Sequence, residues 1–96
     1  MRCAKCLLEF PEQAVRLAGI AVLGLGDEYI YSYFWCGACQ HYTVESYRDR
    51  FEGGDSVTIL PPVSREVGDR AVALIGACPN PMNKFCECPS HRALRH

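Results

Sequence analysis

Seven cysteines in a chain of 96 residues constrain this sequence more than any other feature. Four of them form two Cys-x2-Cys pairs, Cys3/Cys6 and Cys36/Cys39. Two intervening residues let the backbone turn tightly, so that both sulfurs face one point and nearby N–H groups can donate to them. Gly37 and Ala38 are small enough for that turn. Two such pairs supply the four thiolates of a tetrahedral ion site. The competing reading is two buried or redox-active thiol pairs.

Cys78, Cys86 and Cys88 remain. His91 lies three positions after Cys88, which puts both on one face of a helical turn. Pro89 suits the first position of that turn and makes Cys88 its N-cap, where the helix dipole favours a thiolate. Cys86 and Cys88 are expected on an irregular loop, with Cys78 arriving from elsewhere. The seven cysteines and His91 then divide into two four-ligand sets with nothing left over. One set is Cys3, Cys6, Cys36 and Cys39; the other is Cys78, Cys86, Cys88 and His91. Alternatively His91 is a surface residue and the last three cysteines are core or reactive thiols, or the eighth ligand is His41 or His96. His41 is expected beside the second pair, packed against it or facing solvent. Zinc is the expected metal, as two Zn2+ ions, because it takes sulfur and nitrogen in closed structural sites. Iron competes at the four-cysteine set.

Size explains why a chain would need such sites. A domain of this length buries only about 60–65% of its unfolded surface, so its apolar core gives thin stability. The apolar fraction of 49% and charged fraction of 22% are those of a globular chain. The expected organisation is one metal-stabilised domain over 1–96, with a β part over 1–60 and a helix plus metal loop over 61–96. The N-terminus MRCAKCLLEFPEQ lacks the apolar run of a signal peptide. The run LAGIAVLGLG is too short to cross a bilayer, which takes about 20 residues. A reducing cytoplasm is therefore expected, where clustered cysteines hold metal more often than they pair.

Two secondary-structure readings compete over 10–25. A short helix over 10–19, with Pro11 in its first turn and Gly19 as its stop, competes with a strand over 20–25. LGLGDE lacks the lysine and spacing of a phosphate loop. The aromatic run 29–35 reads as a strand and 40–51 as its partner, with 36–39 in place of a hairpin turn. Gly53-Gly54 signals a turn and 56–60 a third strand, stopped by Pro61-Pro62. Residues 64–77 read as a helix capped by Ser64, with Glu66 and Asp69 toward its N-terminal end. Val67, Ala71, Leu74, Ile75 and Cys78 recur with helical spacing, and Pro79 and Pro81 end the helix. Residues 89–95 suit a short terminal helix.

Tyr29, Tyr31, Tyr33 and Trp35 share one strand face. Such a row stacks nucleobases in single-strand binders, but packing against a helix is the favoured expectation. Arg48 and Arg50 share a parity on the partner strand, with Glu45, Asp49 and Glu52 interspersed. Lys84, Arg92, Arg95 and His96 form a small basic cluster near the second ligand set. Net charge is −1; seven thiolates (−7) and two divalent ions (+4) would carry it to −4. Nucleic acid is thus a possible but disfavoured partner, since phosphate contacts dominate such affinity.

At Cys3-Ala4-Lys5-Cys6 and Cys36-Gly37-Ala38-Cys39 the chain resembles zinc-ribbon and rubredoxin-like proteins over about residues 3 to 51. The resemblance implies two metal-gripping knuckles on β-hairpins, with these four cysteines as ligands. It departs from the rubredoxin pattern at Leu7 and Gln40, where glycine would follow each knuckle. The fold class expected is α+β: a small zinc-ribbon-like antiparallel sheet, one main C-terminal helix and a second metal-binding loop. Because protein ligands fill every coordination position, no catalytic role is expected. The functional expectation is a non-enzymatic zinc-binding module for interaction or regulation with an unknown protein partner and no membrane. A rubredoxin-like or thiol-based redox protein and a single-stranded nucleic-acid binder are the alternatives.

Overall fold

The computed structural model describes residues 1–11, 16–24, 26–50 and 54–94. Four strands form an antiparallel meander: β1 (Ala18–Gly24), β2 (Asp27–Cys36), β3 (His41–Arg50) and β4 (Gly54–Ile59). A two-residue strand, β5 (Val63–Ser64), continues beside β3 beyond the end of β4. Helix α1 (Arg65–Ala77) and the short α2 (Pro89–Leu94) follow. The architecture is α+β, as the sequence suggests.

The strand reading prevails in the ambiguous N-terminal region. Ala18 and Gly19, assigned above to a helix end, lie in β1, while residues 12–15 of that helix fall outside the described residues. The physical reason is burial. Ile20 and Val22 alternate onto one sheet face and join Tyr31, Val44 and Ile75 in the core. A helix there would point them to opposite sides. β2 runs past both ends of the expected 29–35, β3 begins one residue later than expected, at His41, and β4 begins two residues early at Gly54 and stops one short at Ile59, with residue 51 outside the described residues.

Strand parity sorts the side chains. Register pairs Ile20 with Tyr31, and Tyr33 with Val44, so the tyrosine row shares its face with the core aliphatics. Helix α1 covers this face. Its N-cap is Ser64, whose Oγ accepts from the Val67 N–H at 3.3 Å, and its Ile75 reaches the core. Tyr31 is buried, Tyr33 meets Tyr42 edge-on, and Trp35 packs on Tyr42 with ring centroids 4.9 Å apart. Tyr31, Tyr33 and Trp35 thus pack toward α1, as favoured above, while Tyr29 at the far end of the row stacks on Tyr31 beside Arg48.

One glycine sets how closely α1 approaches. A Cβ on Gly68 would lie 2.0 Å from Cδ2 of Tyr42, whose hydroxyl donates to Asp69 one residue along the helix. Gly68→Ala is expected to cost about 1–3 kcal/mol by overpacking. Gly76→Ala is the control: nothing lies within 4 Å of its Cβ position, so it should gain about 0.5–1 kcal/mol of helix propensity. Denaturant unfolding of both variants checks the pair; equal gains would show that the Gly68 contact is not tight.

Candidate metal centres

The first ligand set forms where two hairpins meet. Met1 to Phe10 make a small hairpin: Arg2 bridges Glu9, Cys3 N–H donates to the Leu8 carbonyl at 2.9 Å, and Phe10 N–H to that of Met1 at 2.9 Å. The second knuckle is the β2–β3 connection. Both use the same turn. Leu7 N–H donates to the Cys3 carbonyl at 3.1 Å, and Gln40 N–H to the Cys36 carbonyl at 2.9 Å. Both closing residues are left-handed, with φ 63° at Leu7 and 59° at Gln40. These are the positions at which the rubredoxin pattern has glycine. Gln40→Gly is therefore expected to stabilise the domain by about 0.5–1 kcal/mol through relief of left-handed strain, read as a higher unfolding midpoint. A lower midpoint would show that the glutamine side chain outweighs the strain.

The four sulfurs converge. Cys3 Sγ lies 3.5 Å from Cys39 Sγ, Cys6 Sγ lies 3.7 Å from Cys36 Sγ, and all four fall within 4.8 Å of one another. Zinc–thiolate bonds of about 2.3 Å give a tetrahedron with edges of about 3.8 Å, so the spacing fits one ion. Disulfides need sulfurs about 2.05 Å apart, and all seven cysteines are free. Cys3 and Cys36 are buried, whereas Cys6 is exposed. Thr43, fully buried on β3, accepts from the Ala4 N–H at 2.9 Å and ties the first knuckle to the sheet. Sequence reasoning did not single out Thr43, which lies on the sheet face opposite the core residue Val44, where nothing in the sequence marks the docking of the first knuckle.

The second set gathers around the end of α1. Cys78 is its C-cap, with its N–H donating to the Ile75 carbonyl. Its Sγ lies 3.8 Å from Cys86 Sγ, 3.3 Å from Cys88 Sγ and 3.2 Å from His91 Nδ1. The Cys88 Sγ to His91 Nδ1 distance is 3.4 Å. These separations also match tetrahedral edges, about 3.6 Å for sulfur to nitrogen. Cys88 caps α2 as expected: its sulfur accepts from the His91 N–H and its carbonyl from the Arg92 N–H.

His91 is completely buried, and its Nε2 lies 3.0 Å from the Ala21 carbonyl of β1. A carbonyl can only accept, so Nε2 carries the proton and Nδ1 turns a lone pair toward the sulfurs. Such a hydrogen bond is the usual way a ligating imidazole is oriented. The Ala21 N–H donates to the Pro81 carbonyl at 2.8 Å. The 79–91 segment thus covers the outer edge of β1 at both polar groups of Ala21. Sequence reasoning missed this role, because a backbone carbonyl leaves no residue-specific trace. Lys84 adds an ion pair with Glu28 at 3.2 Å.

His41 stays outside both sets: its Nδ1 is 2.9 Å from the Cys39 carbonyl. His96 and Arg95 lie outside the described residues, and Lys84 is engaged with Glu28, so the described part of the basic tail cluster is reduced to Arg92 as a surface cation.

The electrostatics of each cluster favour a cation. Burial pushes the Cys3 thiol up, but N–H groups of Cys6 and Lys5, with help from Cys39 and Thr43, outweigh it and draw it down to about 6. Burial and the adjoining sulfurs push Cys39 up to about 12. In the second set the His91 N–H and ring draw Cys88 down to about 6, while burial and neighbouring sulfurs push Cys78 up to about 11. One thiolate per cluster is therefore favoured without an ion, and a divalent ion supplies the charge that lets the others ionise. The lowered Cys3 and Cys88 favour the native state above the ordinary thiol range, and that contribution disappears as pH falls through about 6. Acidification from about pH 7 to about pH 4 should release metal, followed with a chromogenic chelator; full retention at the acid end would contradict ligation by these thiolates.

Fold and clusters together define a small α+β protein with two groups able to hold a metal ion, one of four cysteines and one of three cysteines with a histidine. The antiparallel sheet with its four-cysteine cluster is compatible with a zinc-ribbon-like fold. Comparison with known proteins finds no match among family models, curated sequences or solved structures. Among the described residues, no helix is long and apolar enough to cross a membrane.

Proposed function

We propose that this chain is a non-enzymatic zinc protein with two structural ions, acting in the cytoplasm as an interaction or regulatory module for a protein partner. Cys3, Cys6, Cys36 and Cys39 hold one ion; Cys78, Cys86, Cys88 and His91 hold the other. The observation that carries this reading is that eight ligand atoms close into two sets of four with tetrahedral spacing. Neither set leaves a position for water or substrate, which is the mark of structural rather than catalytic zinc. The ions substitute for the core that so short a chain cannot build: the first fastens the N-terminal hairpin to the sheet, and the second fastens α1, α2 and the 79–91 segment to β1.

A second reading calls for the same test because Cys6 is exposed. Iron held by the four-cysteine set would lie near the surface, where an electron partner could approach. Elemental analysis and visible absorption of the purified protein separate the two. A colourless protein containing zinc supports the proposal; a visible band that bleaches on reduction, with iron in place of zinc, overturns it for the first site.

A further inference from the structure

The two outer strands of the sheet, β1 and β4, end differently. At Ala21 of β1 the outward N–H donates to the Pro81 carbonyl and the outward carbonyl meets His91. β4 has no such cover among the described residues. The Leu60 N–H donates to the Val44 carbonyl, which fixes the alternation along the ladder. Ser56 and Thr58 therefore turn their backbone to β3, and Asp55, Val57 and Ile59 turn their N–H and carbonyl groups outward. Every residue of β4 except Ser56 is exposed, Val57 at 58% and Ile59 at 43%. Bare edges are usually blunted with lysine, proline or a bulge. GDSVTI holds neither a lysine nor a proline, and its register is unbroken from Gly54 to Ile59.

The side chains at these outward positions lie on the sheet face away from α1, at the ends of rows that cross the sheet. One row is Ile30, Tyr47 and Val57; the next is Glu28, Asp49 and Asp55. Like charges directly opposite each other on neighbouring strands are destabilising. Glu28 is neutralised by Lys84 at 3.2 Å, whereas Asp49 and Asp55 form no ion pair among the described residues. The hydrogen-bond neighbour of Asp55 is the Tyr47 hydroxyl, which that carboxylate pushes up to about 12 and which is therefore uncharged. β4 thus lacks both a neighbouring strand and a cation, and one extended segment can supply the two together.

We propose that β4 docks an extended segment of a partner protein, which adds antiparallel to its outer edge in an apolar-x-apolar-x-basic pattern. The apolar residues lie beside Ile59 and Val57, and the lysine or arginine lies beside Asp55 and Asp49. This names the partner chemistry of the interaction module proposed above and rests on that reading. Main-chain hydrogen bonds supply the affinity of such strand addition, and alternate side chains supply its specificity. A second copy of this chain fits less well. Two-fold pairing of β4 about Val57 sets Ile59 opposite Asp55 and leaves both pairs of carboxylates without a cation.

The test is NMR titration of the isotope-labelled, metal-loaded protein at low salt with the acetylated, amidated peptide GSTVTVTKSG. Its valines would face Ile59 and Val57, and its lysine Asp55. Saturable one-to-one binding is expected, with shifts and slowed amide exchange at Asp55, Val57 and Ile59. Glutamate in place of the lysine should weaken binding at least about fivefold, and N-methylation of the second valine should abolish it. V57P removes an outward N–H without touching the β3 ladder, and D55K reverses the charge. Each should weaken the lysine peptide at least about fivefold while metal content stays at the wild-type value. Equal affinity for the lysine and glutamate peptides would overturn the proposal, as would shifts centred on α1 or β1. A wild-type dimer that V57P dissociates would overturn it in favour of a second copy. Two zinc ions per chain with no peptide bound would sink this site alone; a chain without zinc would sink the structural-zinc reading, whatever the peptide does.

Discussion

Cys36→Ser is expected to leave the chain largely unfolded under conditions where the wild type is native. Cys36 ends β2, is 3% exposed, and places its sulfur 3.7 Å from that of Cys6. A serine hydroxyl neither ionises near neutral pH nor matches thiolate affinity, so the ion would keep three ligands at most. Structural zinc contributes about 10–16 kcal/mol in small zinc-dependent folds, against a net stability of about 5–15 kcal/mol for ordinary domains. A large fraction of that loss exceeds any reserve available to so small a core. The knuckle carries further structure: the Cys36 carbonyl accepts from the Gln40 N–H, and the proposed ion would join the N-terminal hairpin to the β2–β3 turn. Far-ultraviolet dichroism and amide dispersion should both collapse toward the unfolded values. Native spectra with two ions bound would exclude Cys36 as a ligand.

His91→Ala should act more locally. The second ion loses its only nitrogen ligand, and Ala21 loses its partner on the β1 edge. The metal-to-protein ratio should fall from two toward one, while β2 and β3 stay ordered through the first site. Amide exchange gives a sharper reading. The Ala21 N–H, which donates to the Pro81 carbonyl, should lose protection. Amides of the β2–β3 ladder should keep theirs. An uncovered edge strand also invites pairing between chains, so the variant should aggregate more readily on warming. His41→Ala should retain both ions, since His41 lies outside both clusters. A two-ion His91→Ala, or a one-ion His41→Ala, would reassign the ligand.

The two ligand sets could be read from residue spacing because coordination chemistry restricts it tightly. Cys-x2-Cys leaves the chain few ways to turn, and a helix N-cap at Cys88 brings His91 to the same side. The partners that orient the ligands were hidden for an equally physical reason. The Ala21 carbonyl is backbone, and Thr43 looks like any strand threonine until the first knuckle docks on it. Helix α1 was legible from Ser64 and the apolar spacing, but its close approach at Gly68 depends on the Tyr42 ring, distant in sequence. Around Ala18 and Gly19 local propensity gave two answers. Pairing with β2 decided between them, because only a strand can send both Ile20 and Val22 into one core. The arginines of β3 looked interrupted by acids in sequence order; the pleat turns Glu45 and Asp49 to the other face, and it is Asp27 of β2 that pairs with Arg48.

X-ray absorption at the zinc edge, combined with the metal-to-protein ratio, addresses the central claim most directly. Two zinc ions per chain are expected, whose averaged neighbours are seven sulfurs to one nitrogen, with the sulfur shell at about 2.3 Å. A single ion per chain, or a shell containing oxygen in place of several sulfurs, would contradict it.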